Sequence, residues 1–452
     1  MDLTHSEYSD GFFNISSKYG FLPMRHPYEV LPDTYKLLQE MLSNLPYILE
    51  RKEIESEIKS LPNYTEEINK ETDKYLLAAL YRGYCFLTSG YLLEPAHHGR
   101  DKNSGKYGSA RQRLPKNLAE PFDLVANKLD VYPFLDYHYA YSLGNYTVKD
   151  KNKPLTWDNL GMAVSFSTTK DECGFIMLHV DINTHSPELV RSIEMTQQGK
   201  IKEGLTLNYK TMKTINERRQ EMWRASDSKR YNDFRTYIMG ITGNEKIFGK
   251  DGVWYGDDPT PRKYRGQTGA QDDIIPTEDI FSGVIDYYPE NELTRYLLDL
   301  RSYRPKCVQQ FHKDLYKQPK VFTLAKKEGE EALVSLLGIV NEIYCFRHGH
   351  WMFVQRYIMA NTKHATATGG TPIISWIPNQ ILAVLMYMKD ILECLDKSTN
   401  TLVLSLRESF DGRIEVLTKQ MKSVKIEVNP EVLYQESLSI QKCDEDVTNS
   451  KK

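Results

Sequence analysis

The sequence predicts an all-α fold, a class that three observations support. Apolar residues recur every three or four positions over long stretches, as they do on one face of an α-helix. Alternation of apolar and polar residues does not extend beyond a few positions, so all-β and parallel α/β folds are not expected. With 452 residues, the chain is longer than one compact core usually requires, and two domains are the starting expectation.

Two stretches with helical spacing, residues 32–49 and 73–93, occupy the N-terminal part of the chain. The stretch that follows, residues 97–113, is polar and rich in glycine, which is typical of an exposed loop. This loop marks a candidate domain boundary. The sequence therefore predicts a smaller N-terminal helical domain over residues 1–114 and a larger helical domain over residues 115–424.

The predicted larger domain contains a long irregular segment and two further helices. Residues 242–278 hold several glycines and prolines, so they cannot form one continuous helix or strand, and their aromatic residues favour a packed loop. Helical patterns return over residues 330–362 and 379–396. The C-terminal residues, 425–452, are polar and are predicted to form a tail that is partly disordered.

The composition argues against several functional classes. The formal net charge is −3 and no basic stripe is visible, so a nucleic-acid partner is not expected. The first residues lack the pattern of a secretory signal, and the apolar stretch 381–388 is far shorter than the roughly 20 residues that span a bilayer. The six cysteines include no CxxC motif. We expect a cytoplasmic, monomeric protein with free thiols and no membrane partner.

A histidine lies on the apolar stripe of the longest predicted helix. His350 and Arg347 share the three- and four-residue spacing of the apolar side chains between Leu333 and Tyr357. His348 is about 200° away around the helix, so the two histidines cannot share one site. A core histidine with a hydrogen-bonded ring is the alternative interpretation. A buried guanidinium needs an anion, however, and haem offers both an iron and two propionates.

A second histidine, His179, shares one helical face with Phe175, Ile182 and Asn183 in the stretch 174–187. The proline that closes this stretch fits the end of a helix. Histidine on an apolar face is more often a satisfied core residue than a functional group. The pattern alone therefore leaves the role of His179 open.

An arginine occupies a position where apolar side chains are expected. Tyr231, Arg235 and Ile238 have the spacing of one helical face within residues 230–240. A planar guanidinium in that place can hold a carboxylate through two hydrogen bonds. An internal salt bridge is an equally good interpretation.

The glycine pair within residues 367–372 suggests a mobile hydrogen-bonding loop, but it lacks the pattern and the lysine of a phosphate-binding loop.

Taken together and in this order, nine segments resemble the indoleamine 2,3-dioxygenase family. Each motif is modest, and their common order over about 350 residues makes the resemblance specific. The segments are GFLP (20–23), RLPKNLAEPF (113–122), DKNKPLTWDNL (150–160), GFIMLHVDIN (174–183), FRTYIMG (234–240), GQTGAQDD with DIFSGV (within 266–284), LRSYRP (300–305), RHGHWMFVQRYIM (347–359) and TGGT (368–371).

The resemblance implies a haem b site in the larger helical domain. By position, His350 matches the proximal ligand of the haem iron. Arg347 and Asp279 match an Arg–Asp pair beside the haem. Thr268 and Gly269 fall where a loop of the family lines the haem pocket near a propionate.

The resemblance also implies a substrate site next to the haem. Arg235 matches the arginine that holds the substrate carboxylate, and Phe175 matches an aromatic residue of the distal pocket. Thr368 and Gly369 belong to the loop that closes over the substrate. Tyr137, His138 and Tyr141 fall in the remaining distal segment, where a one-residue difference in length leaves the register open.

Several residues depart from the family pattern in the distal region. His179, a candidate catalytic residue, stands where the usual members carry a small serine, and Asn183 replaces a glutamate one turn later. Arg230 stands where an aromatic side chain normally contacts the indole, and Tyr231 beside it is the candidate substrate contact. These departures make the haem site a firmer expectation than the identity of the substrate.

The function implied is insertion of both atoms of O2 across the indole C2–C3 bond. L-Tryptophan or a related indoleamine would give an N-formylkynurenine-type product. A haem oxygenase for another tryptophan-derived indole is one alternative, and an O2-binding haem protein without turnover is another. A helical protein with no cofactor is the third.

Overall fold

α-Helices make up most of the regular structure in the computed structural model, which confirms the predicted all-α class. The structure describes residues 8–101, 106–289, 292–360, 366, 368–370 and 373–425. The strands are β1 (Arg113–Leu114), β2 (Tyr146–Val148), β3 (Leu160–Met162) and β4 (Trp254–Tyr255). Strand β1 pairs with β4 in parallel, and β2 pairs with β3 antiparallel.

The N-terminal helices are α1 (Lys36–Arg51), α2 (Ile54–Ser60), α3 (Thr65–Lys70), α4 (Lys74–His98) and α5 (Lys116–Leu129). Helix α4 is buried on nearly all sides because α1, α2 and α5 pack around it. It extends to His98, so the prediction of a loop from residue 97 was wrong there. Buried Ala96 and the stacking of His97 on Tyr237, with ring centroids 4.8 Å apart, hold this last turn in the core. The domain boundary after residue 114 stays a prediction.

The helices of the middle region are α6 (Lys170–Asn183), α7 (Ser186–Gln197), α8 (Ile201–Arg219), α9 (Met222–Ala225) and α10 (Glu245–Phe248). Pro187 lies in the first turn of α7 and does not terminate α6, as the sequence had suggested. A proline in that position loses no helical hydrogen bond, because the first N–H groups of a helix have no intrahelical acceptor.

The continuous helix predicted over residues 230–240 was wrong. Two 3-10 turns, Ser228–Asp233 and Arg235–Ile238, replace it. The helical ladder cannot continue, because the backbone N–H of Gly240 donates to the carbonyl of Thr368, at 2.9 Å, instead of to the preceding turn. The burial expected from the spacing nevertheless holds: Tyr231, Arg235 and Ile238 are all buried.

The segment 242–278 is a packed loop with short regular pieces, as its aromatic residues suggested. It contains α10, β4 and a 3-10 turn at Gly269–Gln271. Tyr255 is buried and donates a hydrogen bond to the carbonyl of Pro133 at 2.7 Å. The pairing of β4 with β1 fixes this segment beside α5.

The C-terminal helices are α11 (Ile274–Ser282), α12 (Glu292–Leu300), α13 (Lys306–Tyr316), α14 (Val321–Glu328), α15 (Glu330–Val354), α16 (Ile373–Cys394) and α17 (Thr401–Lys425). Helix α15 packs between α8 and α16 and continues into a π-helical turn at Gln355–Met359. Among the described helices, none combines the length and apolar character of a membrane-spanning segment. The tail predicted over residues 425–452 lies almost wholly outside the described residues, as do Thr371 and Pro372.

Two glycines allow the backbone to approach itself closely beside the segment 366–370. A Cβ atom on Gly240 would lie 1.8 Å from the backbone nitrogen of Gly266, and one on Gly266 would lie 2.1 Å from that of Gly240. Only residues without a side chain fit at such a distance. This contact places the residues that follow Gly266 next to Thr368.

We expect Gly240→Ala to lower the free energy of unfolding by at least about 2 kcal/mol, because the two backbone segments must separate. Gly412→Ala, on α17, is the control, since no atom of the described residues lies within 4 Å of the place where its Cβ atom would sit. That helical substitution should be neutral or stabilise by up to about 1 kcal/mol. Chemical denaturation measures both variants, and equal values would contradict the close approach.

Candidate functional site

A cavity of about 250 Å³ lies between helices α6, α8, α11 and α15. Much of its wall is apolar, with side chains such as Leu178, Ile182 and Met222. Two histidines and several arginines reach it as well. The cavity therefore combines an apolar interior with groups that can bind a metal ion and carboxylates.

The ring of His350, near the end of α15, opens into this cavity. The ring is exposed to the cavity but enclosed by the surrounding protein, and this enclosure, together with the positive charge of Arg219, lowers its pKa to about 4. A neutral imidazole is the form that binds a metal ion. By contrast, His348 stacks on Tyr344, with ring centroids 5.7 Å apart, and does not line the cavity. The structure thus separates the two histidines as the helical spacing predicted.

Arg219, at the end of α8, places its guanidinium against the backbone next to His350. A Cβ atom on Gly349 would lie 2.3 Å from both terminal nitrogens of Arg219, so the arginine uses the space that a side chain would fill. Phe346 and Phe353 flank the guanidinium, each at 5.3 Å. Its Nη1 is buried and has no hydrogen-bond partner among the described residues. Sequence reasoning missed Arg219, because an arginine at the end of a polar helix usually faces solvent.

Arg347 and Asp279 form a buried ion pair at the cavity wall. Arg347 Nη2 donates to Asp279 Oδ2 at 2.6 Å and to the hydroxyl of Tyr288 at 2.8 Å. Burial raises the pKa of Asp279, an effect that the charge of Arg347 opposes. The other carboxylate oxygen, Oδ1, is buried without a partner among the described residues. The structure therefore brings the sequence-matched pair together, while its role beside a haem stays a prediction.

Two more arginines, Arg301 and Arg304, line the cavity and were not singled out from the sequence. Arg304 donates through Nε to Asp273 Oδ1 at 2.7 Å and through Nη2 to the carbonyl of Ala270 at 3.0 Å. Its Nη1 is buried and has no partner in the described part of the chain. The segment LRSYRP contributed to the resemblance. Its two arginines, three residues apart, were the signal that could have predicted these positive charges at the cavity.

His179 reaches the cavity from α6 and is part of a chain of hydrogen bonds. Its Nδ1 lies 3.2 Å from the hydroxyl of Tyr137, which donates to Asp272 Oδ2 at 2.5 Å. Asn183, one turn after His179, donates to the same carboxylate oxygen at 2.7 Å. Burial lowers the pKa of His179, so its neutral form is favoured.

A parallel pair lies directly behind this chain. His138 Nε2 is 2.9 Å from Asp273 Oδ2, and both side chains are almost completely buried. Burial alone would raise the pKa of Asp273, but the pairing with His138 and the charge of Arg304 outweigh it and lower the pKa to about 2. Tyr141, which the resemblance placed in the distal segment, donates instead to buried Glu172 at 3.1 Å and does not line the cavity.

An aromatic cluster forms the wall beside His179. The rings of Phe175 and Tyr231 are 5.0 Å apart, and Phe234 packs against both. Phe175 and Tyr231 line the cavity. Arg230 does not: it is exposed and pairs with Asp233 at 3.0 Å. Tyr231 is therefore the residue of this pair that reaches the cavity, and its contact with an indole stays a prediction.

Arg235 is completely buried next to this wall but is not itself among the cavity-lining residues. It donates through Nη1 to the hydroxyl of Tyr107 and through Nη2 to the carbonyl of Thr366, both at 2.9 Å. Its Nε has no partner in the described ranges. No carboxylate of the described residues pairs with it, so the internal salt bridge considered from the sequence is not found there.

The two glycine–threonine pairs predicted near the cofactor and the substrate meet at one end of the cavity. Thr268 and Gly269 line it, and so does Thr368. Gly369 packs on Thr268, since a Cβ atom on this glycine would lie 3.0 Å from the methyl carbon of the threonine. The structure therefore places the loop at Thr268 and the loop at Gly369 in direct contact, while their roles toward a cofactor and a substrate stay predictions.

Comparison with known proteins identifies the family. The family model for indoleamine 2,3-dioxygenase matches residues 10–372. Indoleamine 2,3-dioxygenase 1 of Rattus norvegicus is 26% identical over 375 residues, covering 79% of this chain and 86% of the relative. An indoleamine 2,3-dioxygenase of Aspergillus nanangensis is 26% identical, with 81% and 93% covered, and that of Saccharomyces cerevisiae is 24% identical, with 77% and 80% covered.

The matched region contains all the helices that surround the cavity up to the end of α15, and the family match spans well over half of the 452 residues. The relatives are named as dioxygenases, and their identities of 22–26% mark this chain as a divergent member. The chain belongs to the indoleamine 2,3-dioxygenase family of enzymes.

Proposed function

We propose that this chain is a haem-dependent dioxygenase that inserts both atoms of O2 across the C2–C3 bond of L-tryptophan or a related indoleamine. The product would be of the N-formylkynurenine type. The observation that carries the proposal is the cavity: it combines an open histidine ring with buried guanidinium nitrogens, Nη1 of Arg219 and Nη1 of Arg304, that have no hydrogen-bond partner among the described residues. Both features suit an iron-containing cofactor and an amino-acid substrate.

The residues around the cavity fit haem b. His350 presents its ring to the interior and would hold the iron. The unpartnered Nη1 atoms of Arg219 and Arg304 are buried hydrogen-bond donors that suit carboxylates, and haem carries two. The apolar wall suits the macrocycle. When bound, haem supplies the reaction with O2, while the protein supplies ligation, orientation and electrostatics.

The surroundings of Arg235 support an amino-acid substrate. Among the described residues, the buried guanidinium of Arg235 has a tyrosine hydroxyl and a backbone carbonyl as hydrogen-bond partners and no carboxylate, so its charge is not balanced there. A substrate carboxylate loses water when it enters an apolar site, and that loss is costly unless a fixed cation replaces the solvent. Pairing of Arg235 with the substrate carboxylate balances both charges. Arg235 would hold the substrate so that the aromatic ring of the substrate packs on Phe175 and Tyr231, which also exclude water.

His179 supports a related indole as the second candidate substrate class. An imidazole is larger than the serine usual in the family, and it adds a hydrogen-bonding group to the wall beside Phe175. A substrate with a different ring substitution would suit this wall.

Three further expectations stay predictions. They are the closure of the loop at Thr368 and Gly369 over the substrate, a cytoplasmic location and a monomeric state.

The experiment that tests this function has two stages. The absorption spectrum of the purified protein is expected to show a haem band. The reduced holoprotein is then incubated with L-tryptophan and O2, and formation of N-formylkynurenine is followed by mass spectrometry. Haem without any product from tryptophan or its ring-substituted derivatives would favour an O2-binding protein. Absence of haem after reconstitution would contradict the proposal.

A further inference from the structure

We infer that Tyr137 and Asp272 hold His179 as the neutral tautomer protonated on Nδ1, so that the lone pair on Nε2 accepts a hydrogen bond from a substrate ring N–H. This inference rests on the proposed function and adds two positioning residues, Tyr137 and Asp272. It also predicts which substrates the cavity discriminates against. The hydrogen bonds run from the carboxylate of Asp272 through Tyr137 to the ring at the cavity.

Asp272 accepts three hydrogen bonds. Its Oδ2 accepts from the hydroxyl of Tyr137 at 2.5 Å and from Nδ2 of Asn183 at 2.7 Å. Its Oδ1 accepts from the backbone N–H of Ile274 at 2.9 Å. The amide nitrogen of Asn183 and the N–H of Ile274 can only donate, and because each carboxylate oxygen accepts from one of them, the arrangement favours the ionised form. Asp272 is therefore a carboxylate that fixes the directions of the bonds it receives.

Tyr137 has one proton to give. Burial, together with the negative charge of Asp272, raises its pKa well above the ordinary value, so the hydroxyl stays protonated. That proton lies in the short bond to Asp272. Toward His179, at 3.2 Å, the phenol oxygen can act only as an acceptor. The proton in this second bond must therefore come from Nδ1 of His179.

A neutral imidazole has a single N–H, so protonation on Nδ1 leaves Nε2 with a free lone pair. The hydrogen bonds of His179 within the described ranges involve Nδ1 and the backbone carbonyl, not Nε2, and the ring lines the cavity next to Phe175. The Cε1 atom of the ring lies near Gly269, 3.5 Å from the position of a Cβ atom on that glycine. Tyr137 and Gly269 thus bound the ring on two sides and hold the lone pair toward the cavity.

An acceptor in an apolar cavity selects for a donor. An indole ring supplies an N–H, and its hydrogen bond replaces the water that Nε2 loses when the substrate binds. A benzofuran ring has the same size but carries an oxygen lone pair at that position, which leaves Nε2 unsatisfied. The cavity should therefore discriminate between two amino acids that differ only in this atom.

The test compares binding of L-tryptophan and of 3-(benzofuran-3-yl)alanine to the reduced, carbon monoxide-bound holoprotein, in which no turnover occurs. We expect the parent protein to prefer tryptophan by about tenfold. Tyr137→Phe keeps the ring but removes the acceptor for Nδ1–H, so the preference should fall to about twofold or less. Tyr139→Phe is the matched control: this neighbouring buried tyrosine donates to Asp10 and does not line the cavity, so the tenfold preference should remain.

A second measurement reads the tautomer of His179 directly in the parent protein. The ¹⁵N chemical shifts of the histidine ring nitrogens in the carbon monoxide-bound parent protein distinguish the two neutral tautomers, and His179→Ser assigns the signal. Protonation on Nδ1 supports the inference, and protonation on Nε2 overturns it. Equal binding of the two amino acids also overturns it, even if tryptophan is turned over normally. An oxidised spectrum typical of two axial histidines would overturn it as well, because Nε2 would then bind iron.

Discussion

Replacement of His350 with alanine is expected to abolish haem retention. The ring of His350 opens into the cavity, and no other described histidine lies on the same helix face. Without an axial ligand the haem would be held only by apolar packing and by its carboxylates. The expected result is a purified variant with a haem-to-protein ratio of less than about a tenth of that of the parent protein, since each 1.4 kcal/mol of lost affinity is a factor of ten.

His348→Ala is the matched control for this loss. His348 lies two residues earlier on the same helix and stacks on Tyr344 without lining the cavity. The His348→Ala variant should retain as much haem as the parent protein and show the same absorption spectrum. Absorption at the haem band relative to protein absorption measures both variants. A normal spectrum and normal haem content in His350→Ala would remove the central assignment of this site.

Arg235→Ala is expected to weaken binding of tryptophan while haem content changes little. Loss of one partner of a buried, hydrogen-bonded charge pair costs on the order of 2–5 kcal/mol, which corresponds to a Kd at least about 30-fold higher. Arg235 does not line the cavity and contacts Tyr107 and Thr366, so haem retention should be nearly unchanged. Arg235→Lys should restore binding only in part, because an ammonium group cannot form a planar fork.

Arg230→Ala separates this role from a general effect of positive charge in the same segment. Arg230 is exposed and pairs with Asp233, so its loss should change the Kd for tryptophan by less than about threefold. Equilibrium titration of the carbon monoxide-bound protein measures the three variants together. If Arg235→Ala binds and oxidises tryptophan as well as the parent does, the carboxylate clamp is misassigned.

Sequence periodicity correctly located the part of the site that lies on a regular helix. His350 and Arg347 lie on α15, and their common stripe correctly separated them from His348. Arg235 was located from a helical spacing that the structure does not contain. The expected burial survived because Tyr231, Arg235 and Ile238 belong to two tight turns that are enclosed on all sides.

Other parts of the site depend on contacts between distant segments, which periodicity does not report. Tyr137 and Asp272 are 135 residues apart, and Arg304 reaches Asp273 from a third segment. Arg219 was missed because α8 is mostly polar and its apolar stripe is weak, although Arg219 continues that stripe four residues after Ile215. Helix α17 was missed for the same reason: a helix that buries few side chains shows little apolar periodicity.

The consecutive pairs Tyr137–Asp272 and His138–Asp273 fix the register of residues 137–138 against residues 272–273. A shift of either segment by one residue would place a tyrosine opposite the carboxylate that Arg304 already holds, and would leave one buried aspartate without its partner. Such an unpaired buried charge is strongly destabilising. The two pairs therefore fix the position of Tyr137, 3.2 Å from the ring of His179, independently of the loops on either side.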